Sequence, residues 1–169
     1  MHHVNKKRHF KIETESFIAI DPGLNGTTGY AIFHPSLYKK PVSDGIITKA
    51  RKASESWIVE CQRIAYDIKL MAKPCDEAFI EMPEFWAGNA KSYTATAQGD
   101  LFKLAFLVGS ITQELSSVLV DVTLLAPRQW KGQLKKEMVD RRIAYILHRK
   151  YPNHVSDAVG IGLYVLGLL

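Results

Sequence analysis

Cysteine is nearly missing from this chain of 169 residues: there are two, Cys61 and Cys75. That number and spacing supply neither a disulfide framework nor the ligand pattern of a zinc site. Cys61 falls on the apolar face of a predicted helix, which makes it a reduced core residue and points to a cytosolic protein. Long apolar runs are missing too. The glycine-broken stretch from Val155 to Leu169 is shorter than a membrane span and carries Asp157, so no membrane association is expected. The opening MHHVNKKRH is charged and lacks the apolar centre of a secretory signal. No internal repeat or low-complexity segment is present, and no small-molecule cofactor is expected. The composition, 47% hydrophobic and 23% charged, is that of a globular domain large enough to bury a core without staples. The chain therefore divides into a basic N-terminal arm, residues 1–14, and a single domain, residues 15–169.

Acids are scarce in one region. Between Ala126 and Lys150 stand Arg128, Lys131, Lys135, Lys136, Arg141, Arg142, Arg149 and Lys150, eight bases against the two acids Glu137 and Asp140. The whole chain carries +5, with an isoelectric point near 9.2, so more than the entire excess sits in this stripe. Such a stripe is a footprint for a polyanion, nucleic acid above all. Lys6, Lys7 and Arg8 add charge to the arm.

The remaining pattern alternates strands and helices. Residues 17–33, FIAIDPGLNGTTGYAIF, read as a buried strand ending on Asp21, a Gly-rich turn and a second apolar strand from Tyr30. Val42 to Thr48 makes a third strand. Ser54 is expected to cap a helix whose apolar face runs Trp57, Ile58, Cys61, Ile64, Ala65, Ile68 and Met71, and which Pro74 ends. Ala78 to Ile80 repeats the first pattern: a short buried strand, then Glu81, then Pro83. A long polar loop from Met82 to Ala97 follows. A helix is predicted from Gln98 to Leu119, a strand from Val120 to Leu125, a basic loop from Pro127, a helix from Lys136 to Lys150, and a last helix capped by Asn153. Three strands in succession, then alternation, predict an α/β fold: a five-stranded mixed sheet with helices on both faces.

Three acids occupy comparable places: Asp21 after the first strand, Glu81 after the fourth, and Asp157 near the start of the last helix. His154 and Asp157 are three apart and share one helix face. If the first and fourth strands are neighbours, Asp21 and Glu81 emerge at one edge, and the last helix need only lie across it. Carboxylates so gathered repel unless a cation lies between them. Oxygen ligands select Mg²⁺, with Mn²⁺ as substitute, over zinc. Two such ions, about 4 Å apart, clamp the attacking and leaving oxygens of a phosphodiester. Singly, each acid reads as a strand-end or helix-cap residue; their joint placement carries the signal.

These residues resemble the RuvC family of Holliday-junction resolvases, which have the RNase H-like fold. AIDPG followed by TGYAIF matches the first motif, with Asp21 at the first metal-binding acid. FIEMPEFWAGNAKS matches the second, with Glu81 as the second acid, then aromatics, Asn89 and Ser92. APRQWKGQLKK matches the basic segment, with Lys131 at a catalytic or DNA-contacting lysine. HVSDAVGIGLYVL matches the closing motif, with Asp157 as an acidic ligand and His154 at a position that holds His or Asp in the family.

The resemblance implies a homodimer that binds a four-way DNA junction and makes paired, symmetric, Mg²⁺-dependent cuts with two ions per active site. Asp21, Glu81, His154 and Asp157 would hold the ions, and Lys131 would steady the developing phosphate charge. Phe85 or Trp86 would wedge into the crossover, and Asn89, Ser92, Arg128, Lys131, Lys135 and Lys136 would contact DNA. The expected location is the cytoplasm, that of the host cell if a phage encodes the chain. Two features depart from the family: an extra residue near the wedge, and a shorter segment after Lys131. Two other readings stand beside this one. DPGLNGTTG also resembles the phosphate loop of actin-like ATPases, although those proteins carry two copies of the fold. Another RNase H-like nuclease, acting on other branched DNA or on RNA–DNA hybrids, shares the same acids.

Overall fold

Phe17–Asp21 forms β1 and is buried along its whole length, as a continuous apolar run demands. It pairs antiparallel with β2, Thr28–Phe33, and β2 pairs antiparallel with β3, Ser43–Ile47. On its other side β1 runs parallel to β4, Glu77–Glu81, and β4 runs parallel to β5, Asp121–Leu125. The order is β3-β2-β1-β4-β5 in one five-stranded mixed sheet. Parallel neighbours need long crossovers, supplied here by α1, Trp57–Ala72, and α2, Asp100–Ser116. After β5 come α3, Pro127–Trp130, α4, Lys136–Leu147, and α5, Asn153–Val165. The structure, a computed structural model, describes residues 15–25, 27–36, 39–48, 54–84 and 99–169. The N-terminal arm, with Lys6, Lys7 and Arg8, and the residues Phe85, Trp86, Asn89 and Ser92 lie outside these ranges.

Helices cover both faces, as the alternation predicts. Ile18, Ile20, Ala78 and Ile80 point to one face, where Ile64 and Ile68 of α1 and Leu107, Ile111 and Leu115 of α2 close a core. Phe17, Ala19, Phe33 and Phe79 point to the other, against Val139 and Ile143 of α4 and Val155, Ala158 and Val159 of α5. Phe17 stacks on Phe33 at 5.1 Å and meets Phe79 edge-on at 5.4 Å. Each such fully buried side chain stabilises the fold by about 1.5–3 kcal/mol. Among the described residues no helix is long and apolar enough to cross a membrane.

Several element ends differ from expectation. Ser56, not Ser54, caps α1: its hydroxyl accepts the Val59 N–H at 3.3 Å, because the capping oxygen must directly precede the first turn. Residues 127–130 are helical rather than a loop. Pro127 presets the first turn, and the Gln129 side chain takes the Ala126 N–H at 2.6 Å. Asn153 is the first helical residue of α5 rather than its cap, since the Pro152 carbonyl already accepts the Ser156 N–H at 2.7 Å. The helix from Lys136 stops at Leu147, before Lys150, where His148 turns left-handed at φ 54°. The preceding long helix stops at Ser116, and Leu119 turns left-handed at φ 62°.

Candidate active site

Because Ile20 lies beside Ile80 in the parallel pair, Asp21 and Glu81 leave the sheet side by side at the carboxyl ends of β1 and β4. The first turn of α5 lies over this rim. Its approach depends on Gly29, the residue paired with Asp21 across β1 and β2. A Cβ at Gly29 would stand 2.2 Å from the His154 carbonyl oxygen, closer than any side chain tolerates. With the glycine there, His154 Nδ1 reaches Asp21 Oδ2 at 2.7 Å, across 133 residues of sequence. An ionised Asp21 can only accept, which assigns the proton to Nδ1 and leaves Nε2 free to bind a ligand or hold a water.

Glu81 is held from the other side. The Trp130 indole N–H donates to Glu81 Oε2 at 2.6 Å, and Lys131 Nζ lies 3.6 Å from the same oxygen and 4.9 Å over the Trp130 ring. Trp130 fits because α5 carries Gly160 beneath it, where a Cβ would come within 2.6 Å of the indole. Asp157, one turn beyond His154, accepts from Lys136 Nζ at 2.7 Å. Lys136 also pairs with Asp140 at 3.2 Å, and the Ser156 hydroxyl donates to Asp140 at 2.6 Å.

The acids feel one another. Burial raises the pKa of Asp21; the His154 hydrogen bond opposes that rise and the nearby Asp157 adds to it. Burial, then the charge of Asp21, pushes Glu81 up to about 7, against the pull of Lys131 and Trp130. His154 is raised chiefly by its bond to Asp21, with burial opposing. Each acid thus has its own protein partner: an imidazole on Asp21, an indole and an ammonium on Glu81, an ammonium on Asp157. Among the described residues no three His, Cys, Asp or Glu side chains already enclose a metal position. The donor set nonetheless suits a hard cation: carboxylate oxygens with one imidazole, buried enough that ionisation is costly without added positive charge.

Of the expected nucleic-acid contacts, Arg128 is largely exposed and pairs with Glu84 at 3.2 Å. Lys135 is exposed at the start of α4, while Lys131 and Lys136 turn inward to the acids. Sequence reasoning did not single out Trp130, Asp140, Ser156, Gly29 or Gly160. The glycines on the closing helix were the only local hint. The turn after β1 is also braced from within. Gly23 N–H donates to Thr28 Oγ1 at 3.1 Å, and Asn25 N–H donates to Glu60 of α1 at 2.6 Å.

No family model matches the sequence, and no curated protein sequence matches it. Solved structures do. The chain is similar to the Thermus thermophilus RuvC structure, with a TM-score of 0.65 at 19% identity, covering 88% of this chain and 92% of that one. It is similar to T. thermophilus RuvC in complex with Holliday junction substrate, with a TM-score of 0.68 at 20% identity, covering 88% and 90%. The fowlpox virus Holliday junction resolvase aligns at a TM-score of 0.49 and 15% identity, covering 91% and 99%. At such identities the likeness is one of fold, the mixed sheet with helices of the RuvC and RNase H-like type.

Proposed function

We propose that this chain is a structure-selective DNA endonuclease that resolves four-way junctions by paired, symmetric hydrolysis of phosphodiesters. The observation that carries this reading is the convergence at one sheet rim: Asp21 and Glu81 on adjacent parallel strands, with α5 bringing His154 to 2.7 Å from Asp21 and Asp157 one turn further on. Support comes from the fold likeness to a protein whose solved structure contains a Holliday junction substrate. The phosphate-loop alternative is disfavoured locally, because the Glu60 carboxylate takes the Asn25 N–H that a phosphate would need and would repel that anion.

In this reading Asp21, Glu81, Asp157 and His154 hold two Mg²⁺ ions, or Mn²⁺ in their place. Bound there, the ions would supply Lewis acidity and a water acidic enough to attack near neutral pH. The chain's own groups do the rest. Asp21 fixes the His154 tautomer, which leaves Nε2 to ligate an ion or orient the water. Lys131, already beside Glu81, steadies charge building on the phosphate. Arg128, Lys135 and Lys136 bind backbone phosphates, Asn89 and Ser92 contact DNA nearby, and Phe85 or Trp86 stacks at the crossover. A four-way junction has two equivalent strands to cut, which calls for two copies of the chain. The α2 surface that exposes Phe102 and Phe106 is our candidate contact. The working compartment is a reducing cytoplasm, in keeping with two buried thiols that burial pushes up to about 11.

The test is incubation with labelled four-way, forked, linear duplex and RNA–DNA hybrid substrates, each with and without Mg²⁺. Paired incisions confined to the four-way DNA and dependent on Mg²⁺ are expected. Preferential cutting of the hybrid, or no cutting of any substrate, would overturn the reading.

A further inference from the structure

Lys136 stands at the amino end of α4, and its ammonium reaches across to the amino end of α5. Three oxygens surround it: Asp157 Oδ1 at 2.7 Å, Asp140 Oδ1 at 3.2 Å and the Asn153 carbonyl at 3.2 Å. Helix electrostatics oppose this placement, because both helix starts present positive dipole ends and favour acids over bases. The two carboxylates hold the ammonium there in spite of the dipoles. Oxygens of these types gathered about one positive charge are also the surroundings a hard divalent cation takes.

We propose that Lys136 is a built-in counter-ion that competes with a divalent cation for Asp157 and, once displaced, gives its charge to a DNA phosphate. This rests on the assignment of Asp157 as a metal ligand. An ammonium in contact with Asp157 and a cation on the same carboxylate repel each other, so both cannot hold that position. The lysine has somewhere to go: its side chain is 31% exposed, on a flexible four-carbon stem. Asp140 does not collapse when the lysine leaves, because Ser156 Oγ keeps its hydrogen bond to Asp140 Oδ1 at 2.6 Å. Lys131 differs, since the Trp130 ring holds it as well as Glu81. The exchange links the two ligands. Cation binding frees a phosphate contact, and DNA that takes Lys136 frees Asp157, so each ligand strengthens the other by the same factor.

The experiment is Mn²⁺ binding without DNA, followed by calorimetry and by loss of the free-ion electron spin resonance signal, for wild type, Lys136→Gln and Lys136→Arg. Lys136→Gln should bind Mn²⁺ about tenfold more tightly, and Lys136→Arg, which keeps the charge, should stay close to wild type. Junction affinity measured in Ca²⁺ and in EDTA should show a smaller gain from Ca²⁺ in Lys136→Gln than in wild type. If the Gln variant does not melt cooperatively, Lys136→Met repeats the comparison. Wild type that binds Mn²⁺ while the uncharged variant binds it no better overturns the exchange and leaves Asp157 as a ligand. Failure of every form to bind Mn²⁺ removes the metal site itself, and the exchange with it.

Discussion

The parallel strands carry clustered acids at both ends, and among the described residues only the carboxyl-end cluster is buried and supplied with donor side chains. At the amino end, Glu77 starts β4 opposite Asp121 of β5, with Asp76 just before it. Asp76 and Asp121 are exposed, and Glu77 is partly so. Burial raises the Glu77 pKa, with Asp121 and Asp76 adding to the shift, and no basic group among the described residues offsets them. The Asp76 carboxylate serves the backbone, accepting the Ser16 N–H at 3.2 Å. At the carboxyl end Asp21 is 7% exposed, Glu81 is mostly buried, and each has a private imidazole, indole or ammonium partner. Acid at a strand end is therefore not a site by itself. Burial together with imported donors from α3, α4 and α5 separates the two clusters.

Replacing one acid at each end tests that contrast most severely. Asp21→Asn should lower single-turnover cutting of a four-way junction by roughly 10³-fold or more, because several kcal/mol of charge stabilisation goes with it. Junction binding should persist. Asp121→Asn at the opposite end, an exposed change, should leave cutting within about twofold. Equal losses at both ends would erase the distinction.

The pH dependence of stability should separate the ends more finely. Glu81 rises from 4.5 to about 7 on folding, so the folded chain holds that proton more tightly than the unfolded one. Folding is then favoured below pH 4.5 and loses that advantage as pH climbs to about 7. Asp21 and His154 are raised as well and act with the same sign. Urea unfolding in EDTA should show stability falling across this window, by on the order of 3 kcal/mol for Glu81. Glu81→Gln should flatten much of that fall. A slope unchanged by the substitution would mean that Glu81 does not dominate the window.

The smallest effect concerns a residue with no chemistry. Gly29→Ala pushes a methyl against the His154 carbonyl, and either α5 or β2 must shift. The expected cost is about 1–3 kcal/mol of stability, read from the unfolding midpoint, with cutting reduced because His154 moves off Asp21. Gly109→Ala, in α2 where a Cβ meets open space, adds the same methyl without a clash and should not destabilise. Similar losses at both positions would show that the added methyl costs stability wherever it is placed, and that the rim contact is not what is being measured.

Much of this architecture is legible in the residues themselves. The repeated pattern of apolar strand, acid and proline at 17–22 and 78–83 marks two strand ends, and the 3.6-residue period of Ile64, Ala65 and Ile68 marks the helix between them. That the two strands are neighbours, which the sequence leaves as a condition, is supplied by the sheet order, and it sets Asp21 beside Glu81. The partners of the acids are not legible. Trp130 reads locally as part of a basic segment, yet its indole serves an acid 49 residues away. Lys136 reads as one more charge in a stripe, although its ammonium turns inward. Helix ends were hard for a related reason: His148 and Leu119 stop or turn the chain at positive φ without the glycine that usually signals it. Glu60 looks like a solvated residue by type and is buried beneath the first turn.

The hydrogen bond between residues 21 and 154 spans most of the chain, and that span sets a rule of assembly. During synthesis the opening hairpin leaves the ribosome long before its histidine exists. Any fragment lacking residues 153–165 lacks the imidazole that partners Asp21 at the tip of β1. The same span works as a safeguard in the proposed chemistry: no chain that stops short of α5 can cut DNA, because His154 and Asp157 arrive only with that helix.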